Sequence, residues 1–226
     1  MYSSFSHAVH TRFNGLTRRH WLLASCGFSF ILLTVRLLAT ERPEFIFLGW
    51  NLFLGALPYL LTDKLQRSPR LLESRWWLLC GGVAWLLLIP NSFYIITDLF
   101  HLGKSKAAPR WFDLLLVFSF AWNGVVLGIL SIRQVELIAR VVAGRPVSFV
   151  VILVVMWLVA LGVYIGRFLR FNSWDVLTNP LSLAGAIGEM VIDPFQHAYA
   201  WAMTVCYGLF MTLLYYTVKM MGTDRG

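Results

Sequence analysis

The sequence predicts an all-α, polytopic transmembrane helix bundle of about six spans, with the amino and carboxyl termini in the cytoplasm. Of its 226 residues, 58% are hydrophobic and only 13% are charged, whereas soluble domains carry roughly 45–50% apolar and about 25% charged residues. Six apolar stretches approach the roughly 20 residues that a helix needs to cross a bilayer. Aromatic residues are frequent at their ends, where the membrane interface favours such rings. An ordinary soluble domain is therefore excluded.

The predicted spans follow one another with mostly short polar connections. They cover residues 21–39, 44–61, 76–99, 111–131, 147–168 and 195–218. Residues 1–20 then form a cytoplasmic amino-terminal segment, residues 21–218 the transmembrane domain and residues 219–226 a cytoplasmic tail. Arg18 and Arg19 faintly resemble a twin-arginine export signal, but no small-residue cleavage site follows them. The first helix is therefore expected to be retained.

The distribution of lysine and arginine predicts the orientation of the chain, because cytoplasmic loops are enriched in these residues. A cytoplasmic amino terminus places twelve of them inside and six outside, with Arg36 within the first span. We interpret Arg36 as an anchor that snorkels to the interface. The basic residues lie in short loops rather than on one polar face, so the net charge of +8 indicates membrane orientation and not nucleic-acid binding.

The connection between the fifth and sixth spans is long and lies on the predicted outer side. Its apolar segment, residues 181–192, is too short to cross a bilayer. It is expected to lie in the interface or to enter the membrane and return. Gly185, Gly188 and Pro194 predict that this segment is irregular.

Polar residues of the third span form a candidate site. Asn91, Tyr94, Asp98 and His101 are spaced three or four residues apart, so an α-helix places them on one narrow face. A charge at the bilayer centre costs about 2.5–3.5 kcal/mol on insertion scales, which makes such residues functional-site hypotheses. Asp98 and His101 are therefore the catalytic candidates, as a base or as metal ligands.

Other spans carry polar residues towards the same outer end. If these faces meet, they form a polar cavity open to the outside, whose substrate-binding candidates are Asn51, Asn91, Tyr94, Arg167, Arg170, Asn172 and Asp175. The alternative is structural, because mid-span asparagines such as Asn51, Asn91 and Asn123 also join helices, at about 0.6 kcal/mol each.

The arginines of the fifth span predict an ion pair. Guanidinium groups match carboxylates well, and Arg167 reaches about the same height as Asp98 at roughly 1.5 Å per helical residue. We therefore expect Arg167 or Arg170 to pair with a carboxylate. The favoured partner is Asp98, and the alternatives are Asp113 and Asp175.

The sequence does not decide whether the protein binds a metal or another cofactor. Asp98 and His101 on one helix, with Asp193 and His197 on another, offer the carboxylate and imidazole ligands that divalent metals take. Their spacing matches no metal-binding motif, and no nucleotide-binding or nucleophile-elbow sequence occurs. The identity of any cofactor is unknown.

Three classes of function fit this pattern. A membrane-embedded enzyme acting on a lipid or envelope substrate would use Asp98 or His101, with Arg167 and Arg170 holding an anionic group. The first alternative is a carrier or small-ligand binding protein that uses the same residues as a binding site. The second is an assembly or scaffold protein in which the polar residues only join helices. The expected partners are the lipid bilayer and an anionic lipid or envelope substrate.

Three motifs resemble a known family. They are FLGWNLFLGALPY at residues 47–59, PNSFYIITDLFHL at residues 90–102 and GRFLRFNSWD at residues 166–175. Together they resemble the bacterial membrane family named Domain of Unknown Function 1361, and the likeness covers most of the chain from about Phe45 onward. The resemblance implies a multi-pass location in the bacterial inner membrane and the importance of these motifs, and it implies no mechanism.

Overall fold

Helices form all the regular structure of the described residues. The computed structural model describes residues 2–68, 74–103 and 107–221, with the backbone alone for residues 2–18 and Arg75. A 3₁₀ segment, Ile95–His101, continues the third helix, and a π-helical turn, Ile165–Leu169, continues the fifth. The helices are α1 (Tyr2–Thr40), α2 (Phe47–Gln66), α3 (Arg75–Tyr94), α4 (Arg110–Ala143), α5 (Arg145–Tyr164), α6 (Asp175–Thr178), α7 (Pro180–Ile192) and α8 (Ala198–Met221).

Five helical stretches in these ranges are long and apolar enough to cross a membrane. They are Arg19–Thr40, Trp76–His101, Arg110–Ala143, Arg145–Leu169 and Ala198–Met221. Large apolar side chains cover much of the outer surface, as is typical of faces that contact lipid. These findings confirm the predicted all-α transmembrane helix bundle.

The helix α2 is not among these five stretches. Asn51, Asp63 and Lys64 lower its mean hydropathy, although its 20 residues are enough to cross a bilayer core of about 30 Å. The count of six spans and the cytoplasmic position of both termini therefore remain predictions.

Side-chain contacts define two ends of the bundle. At one end, Asn51 near the start of α2 lies beside Asp98 of the 3₁₀ segment, and we call this the Asp98 end. At the other, Gln66 at the end of α2 donates a hydrogen bond of 3.2 Å to the Gln134 carbonyl of α4. We call it the Glu136 end. Since α2 packs on both α3 and α4, it runs from one end to the other, antiparallel to α3 and parallel to α4.

The apolar core has two main parts. One lies between α3, α4, α5 and α8 and includes Phe93, Ile132 and Met156. The other lies between α1, α2 and α4 and includes Leu48 and Phe120. Because α4 contributes to both parts, it is the most deeply buried of the five candidate spans.

Small residues let α3 approach its neighbours closely. The Ser92 hydroxyl donates to the Gly55 carbonyl at 2.6 Å, and a Cβ on Gly124 would lie 2.6 Å from the Ser92 carbonyl oxygen. A Cβ on Gly162 of α5 would likewise lie 2.6 Å from Cγ of Pro90. Such contacts are common in membranes, where close packing rather than hydrophobic burial joins helices. They fix α3 between α2, α4 and α5.

Two predicted segments differ from the structure. Residues 181–192 belong to the regular helix α7, so the prediction of an irregular segment is wrong. Gly185 and Gly188 lie inside that helix, and Pro194 follows its end. The α4 helix continues to Ala143, well beyond residue 131, because Glu136 in its later turns has partners on α8. Residues 2–20 continue the first span as helix, and residues 222–226 of the predicted tail lie outside the described ranges.

Candidate functional site

Asp98 is enclosed at the Asp98 end, with its side chain only 1% exposed. Asn51 Nδ2 donates a hydrogen bond of 2.8 Å to its Oδ2, and Arg167 Nη1 lies 3.4 Å from its Oδ1. A buried carboxylate without such partners would be costly, and α2 and the π-helical turn each bring one donor to it. The prediction that Arg167 pairs with Asp98 is confirmed.

Arg167 projects from the π-helical turn and is shared among several groups. Its guanidinium also lies 3.3 Å from the Tyr94 hydroxyl and 3.2 Å from Nδ1 of His101. Its Cζ lies 5.8 Å from the centre of the Tyr94 ring and 5.6 Å from that of Phe100, within the range of cation–π attraction. Arg167 therefore joins α5 to the end of α3 through several contacts rather than one close pair. Turns of π-helix are frequent at functional sites.

The 3₁₀ segment divides the polar face that was predicted for α3. In a 3₁₀ helix residues i and i+3 eclipse each other, and Asp98 and His101 accordingly both contact Arg167. Asn91 and Tyr94 precede this segment and line a cavity. The single face expected of an uninterrupted α-helix is therefore two adjoining parts, a charge cluster and a cavity wall.

A cavity of about 110 Å³ lies between α2, α3 and the loop after α5. We call it the polar cavity, because amide and phenol groups line it together with the rings of Trp50 and Phe171. Its polar side chains are Asn51, Asn91, Tyr94 and Asn172. Asp98 and His101 are not part of the lining, and Asp98 is connected to the cavity through the Asn51 amide.

A larger cavity of about 280 Å³ adjoins the polar cavity between α3, α5 and α7. We call it the apolar cavity, because most of its lining is aliphatic and includes Leu87, Leu158 and Ile187. Five residues line both cavities, namely Asn91, Tyr94, Gly166, Phe171 and Asn172. The two cavities therefore share a wall, with hydrogen-bonding groups in the rest of the polar cavity on one side and aliphatic side chains in the rest of the apolar cavity on the other.

Hydrogen bonds hold this shared wall against α3. Asn91 Nδ2 donates to Oγ of Ser173 at 2.9 Å and to the Leu88 carbonyl at 3.0 Å, and Ser173 Oγ donates to the Leu87 carbonyl at 2.7 Å. Pro90 has no backbone N–H, so the Leu86 carbonyl loses its usual helical donor, and the side-chain donors reach the two carbonyls that follow it. Ser173 is not among the site residues that the sequence predicts.

Arg170 does not pair with Asp98, Asp113 or Asp175, and Asp175 does not pair with Arg167. Arg170 ends the π-helical turn with a left-handed φ of 60° and is exposed. Oδ2 of Asp175 accepts a hydrogen bond of 2.6 Å from the backbone N–H of Asn172, which shapes the turn beside the cavities. Of the two arginines, it is Arg167 that meets a buried carboxylate.

The four candidate metal ligands do not come together. Within residues 2–68, 74–103 and 107–221, no three His, Cys, Asp or Glu side chains form a group that could hold a metal ion. Asp98 and His101 face Arg167, whereas Oδ1 of Asp193 accepts the backbone N–H of Gln196 at 3.2 Å in the turn before α8. The structure therefore does not assemble a site from Asp98, His101, Asp193 and His197.

The interpretation of Arg36 as a snorkelling anchor is wrong. Its side chain is 2% exposed, and its Nε lies 2.7 Å from Oδ1 of Asp113. Glu44 and Thr40 also contact the guanidinium, and the ring of Phe45 lies 5.4 Å from its Cζ. Asp113, a candidate partner for Arg167 and Arg170, is therefore paired with Arg36. The signal was present in the sequence, because Arg36 and Asp113 lie near the predicted outer ends of their spans.

A third charged cluster lies at the Glu136 end and was not predicted. Glu136 has a side chain 5% exposed and lies 2.5 Å from Arg140 and 2.6 Å from Lys219. The Tyr215 hydroxyl donates a hydrogen bond of 2.5 Å to its Oε2. The sequence placed Glu136 in a cytoplasmic loop, because the apolar run of the fourth span ends near residue 131.

One family model matches the chain, over residues 50–214, and it describes a protein of unknown function, DUF1361. This match confirms the resemblance that the three motifs indicate. It contains every residue that lines the two cavities, together with Asp98 and Arg167, whereas Arg36 lies outside it. No curated protein and no solved structure matches the chain.

Proposed function

The chain belongs to the DUF1361 family of proteins of unknown function, and we propose that it binds an amphiphilic lipid at the Asp98 end. The headgroup would occupy the polar cavity and an acyl chain the apolar cavity. The observation that carries this proposal is the wall of five residues common to both cavities. A ligand that is polar at one end and aliphatic at the other satisfies both surfaces at once, and such pairs of surfaces are typical of ligand sites.

The lining of the polar cavity favours an uncharged headgroup that is rich in hydroxyl or amide groups. Asparagine side chains both donate and accept hydrogen bonds, and the rings of Trp50 and Phe171 offer flat surfaces to the faces of a sugar. The sequence led us to expect that Arg167 holds an anionic group. In the structure Arg167 contacts Asp98, Tyr94 and His101, which supports a neutral headgroup instead.

In this proposal Asp98 and Arg167 are positioning residues. Because Asn51 Nδ2 donates to Asp98, the side-chain oxygen Oδ1 of Asn51 is left as an acceptor for a ligand hydroxyl. Because the Tyr94 hydroxyl accepts from Arg167, its own proton is left as a donor. The charge cluster therefore gives the cavity one oriented acceptor and one oriented donor.

Among the function classes that the sequence left open, this geometry favours a carrier or small-ligand binding protein. An enzyme that used Asp98 or His101 as a base would need either group within hydrogen-bond reach of the substrate. Neither residue lines the polar or the apolar cavity. A scaffold protein would need no cavity with two contrasting surfaces.

We place the protein in the bacterial inner membrane, with the Asp98 end outward. The excess of lysine and arginine at the opposite side supports this orientation. Alkaline phosphatase fused within residues 102–109 should be active, and fusions within residues 67–74 should be silent. The reverse pattern would contradict the orientation while leaving the binding proposal to its own test.

Binding can be tested with a glucosyl diacylglycerol that carries a fluorescent acyl chain, in phosphatidylcholine nanodiscs containing the full chain. Leu87→Trp fills the apolar cavity, and Leu79→Trp makes the same change on the exposed surface of the same helix. We expect Leu87→Trp to weaken binding about tenfold or more, through overpacking of the site, and Leu79→Trp to leave it unchanged. Equal binding by both variants, or equal affinity for labelled phosphatidylcholine, would overturn the proposal.

A further inference from the structure

Among the residues that the structure describes, the Glu136 end gathers more positive than negative charge around one enclosed carboxylate. Arg140 and Lys219 both contact Oε1 of Glu136. Arg133 lies close enough to interact electrostatically with Tyr215, which donates to the same carboxylate. Arg140 is only 33% exposed, so its charge is held partly within the bundle. Glu136 alone does not balance these three basic side chains.

Two buried atoms at this end have no hydrogen-bond partner among the described residues. They are Nε of Arg140 and the hydroxyl oxygen of Tyr216. A guanidinium Nε–H only donates, and a phenol can donate. Buried donors without a partner are rare in folded proteins, and a bound ion is one acceptor that can satisfy them.

The two atoms belong to one cluster, because Arg140 and Glu136 are both close enough to interact electrostatically with Tyr216. Arg140 contacts Glu136 through Nη2, so its Nε–H is a separate donor that the carboxylate does not use. Nζ of Lys219 lies over the Tyr216 ring, 5.1 Å from the ring centre. The Tyr216 ring also lies 5.9 Å from that of Phe149 in α5. Two basic side chains, Arg140 and Lys219, therefore lie close to the Tyr216 ring.

We propose that this cluster binds the phosphate group of an anionic lipid. A phosphate offers several acceptor oxygens, enough for Arg140 Nε–H and the Tyr216 hydroxyl together, and its charge offsets the positive excess. Basic pockets between transmembrane helices on the cytoplasmic side bind such headgroups, and the Glu136 end is the predicted cytoplasmic end. The site lies at the opposite end of the bundle from the two cavities and does not depend on their function.

The test is thermal unfolding of the purified full chain in detergent, with phosphatidylglycerol or phosphatidylcholine added in parallel titrations. We expect phosphatidylglycerol to raise the Tm more than phosphatidylcholine does. The apparent Kd for phosphatidylglycerol should rise about tenfold in Arg140→Gln and several-fold in Tyr216→Phe, because each variant loses a hydrogen bond to a charged group. Tyr216→Phe removes only the hydroxyl, so it keeps the test valid where Arg140→Gln fails to fold. Arg110→Gln, an exposed change in the first turn of α4, should respond like the wild type.

A third titration, with inorganic phosphate, separates a lipid from a soluble phosphate. Stabilisation by phosphate alone that both variants abolish would keep the anion site and assign it to a soluble ligand. Equal stabilisation by the two lipids with no effect of phosphate would overturn the proposal. An unchanged affinity for phosphatidylglycerol in Tyr216→Phe and Arg140→Gln would overturn it as well.

Discussion

Arg36 and Arg167 each pair with a buried aspartate near the same end of the bundle, but the two pairs differ in closeness and surroundings. Nε of Arg36 lies 2.7 Å from Oδ1 of Asp113, and both side chains are at most 5% exposed. Nη1 of Arg167 lies 3.4 Å from Oδ1 of Asp98, and the Arg167 side chain is 15% exposed. The first pair is close and fully enclosed, whereas the second is looser and is reached from the surface.

The surroundings of the pairs explain this difference. The contacts of Arg36 join α1 to α4 and to the turn before α2, and none of its charged partners lines either of the two cavities. Arg167 and Asp98 instead contact Tyr94 and Asn51, which do line the polar cavity. A close, enclosed pair of this kind supports the fold. In the proposed function, the looser pair orients the ligand site, because its partners form the cavity wall.

The largest effect is expected from Arg36→Gln. Removing one partner of a buried ion pair strands a charge and costs about 3–5 kcal/mol in the free energy of unfolding. Arg42→Gln is the matched control, because Arg42 is 62% exposed and lies 3.6 Å from Glu44, where a pair contributes about 0–1 kcal/mol. Chemical unfolding in detergent measures both. Equal losses in the two variants would show that the Arg36 pair does not support the fold.

A smaller effect is expected at the second pair, and a double-mutant cycle isolates it. Asp98→Asn and Arg167→Gln should each destabilise the protein less than Arg36→Gln does. The double variant should be less destabilised than the sum of the two, with a coupling of about 0.5–3 kcal/mol for residues in contact. Strict additivity in thermal and chemical unfolding would mean that Asp98 and Arg167 do not act as a pair.

The packing between α3 and α5, which positions Arg167, can be altered without touching a charge. A Cβ added at Gly162 would lie 2.6 Å from Cγ of Pro90, so Gly162→Ala forces the helices apart and should cost about 1–3 kcal/mol. Gly188→Ala adds the same methyl group in α7, where nothing lies within 4 Å. It should be neutral or stabilising by about 0.5–1 kcal/mol. A Gly162→Ala variant as stable as the wild type would contradict the close approach.

The smallest change in stability is expected from Tyr94→Phe. It removes only the hydroxyl that lies 3.3 Å from Arg167, and one such hydrogen bond contributes about 0.5–1.5 kcal/mol. Because the same hydroxyl is the proposed donor to the ligand, affinity for the labelled glucosyl lipid should fall as well. Unaltered lipid binding in a folded Tyr94→Phe protein would remove Tyr94 from the site.

The helices and the Arg167–Asp98 pair could be predicted from the sequence, because they depend on local pattern and depth. Apolar runs of span length place the helices, and equal height in neighbouring ascending helices predicts the pair. The Arg36–Asp113 pair obeys the same reasoning about depth. It was missed because an arginine near a helix end also fits a snorkelling role, and the sequence does not state which face of α1 is buried.

The division of the α3 face could not be predicted, because it depends on tertiary packing. Nothing in the local sequence distinguishes a 3₁₀ segment at Ile95–His101 from a further α-helical turn. The apolar cavity likewise requires α7 to pack beside α3 and α5, and Ile187 becomes part of its lining only in that arrangement. Residue spacing within one helix carries no information about such neighbours.

Two asparagines provide the most direct test of the central claim, that the Asp98 end is a lipid site rather than only a structural contact. Asn51 lines the polar cavity, whereas Asn123 is 2% exposed and donates to Ser25 and Ser29 of α1. The measurement is the Kd of the labelled glucosyl diacylglycerol in nanodiscs, for Asn51→Ala and for Asn123→Ala. We predict that Asn51→Ala raises the Kd about tenfold, the equivalent of roughly 1.4 kcal/mol. Asn123→Ala should leave the Kd unchanged, although it lowers the Tm more. An unchanged Kd in Asn51→Ala, or equal losses of affinity in both variants, would contradict the claim.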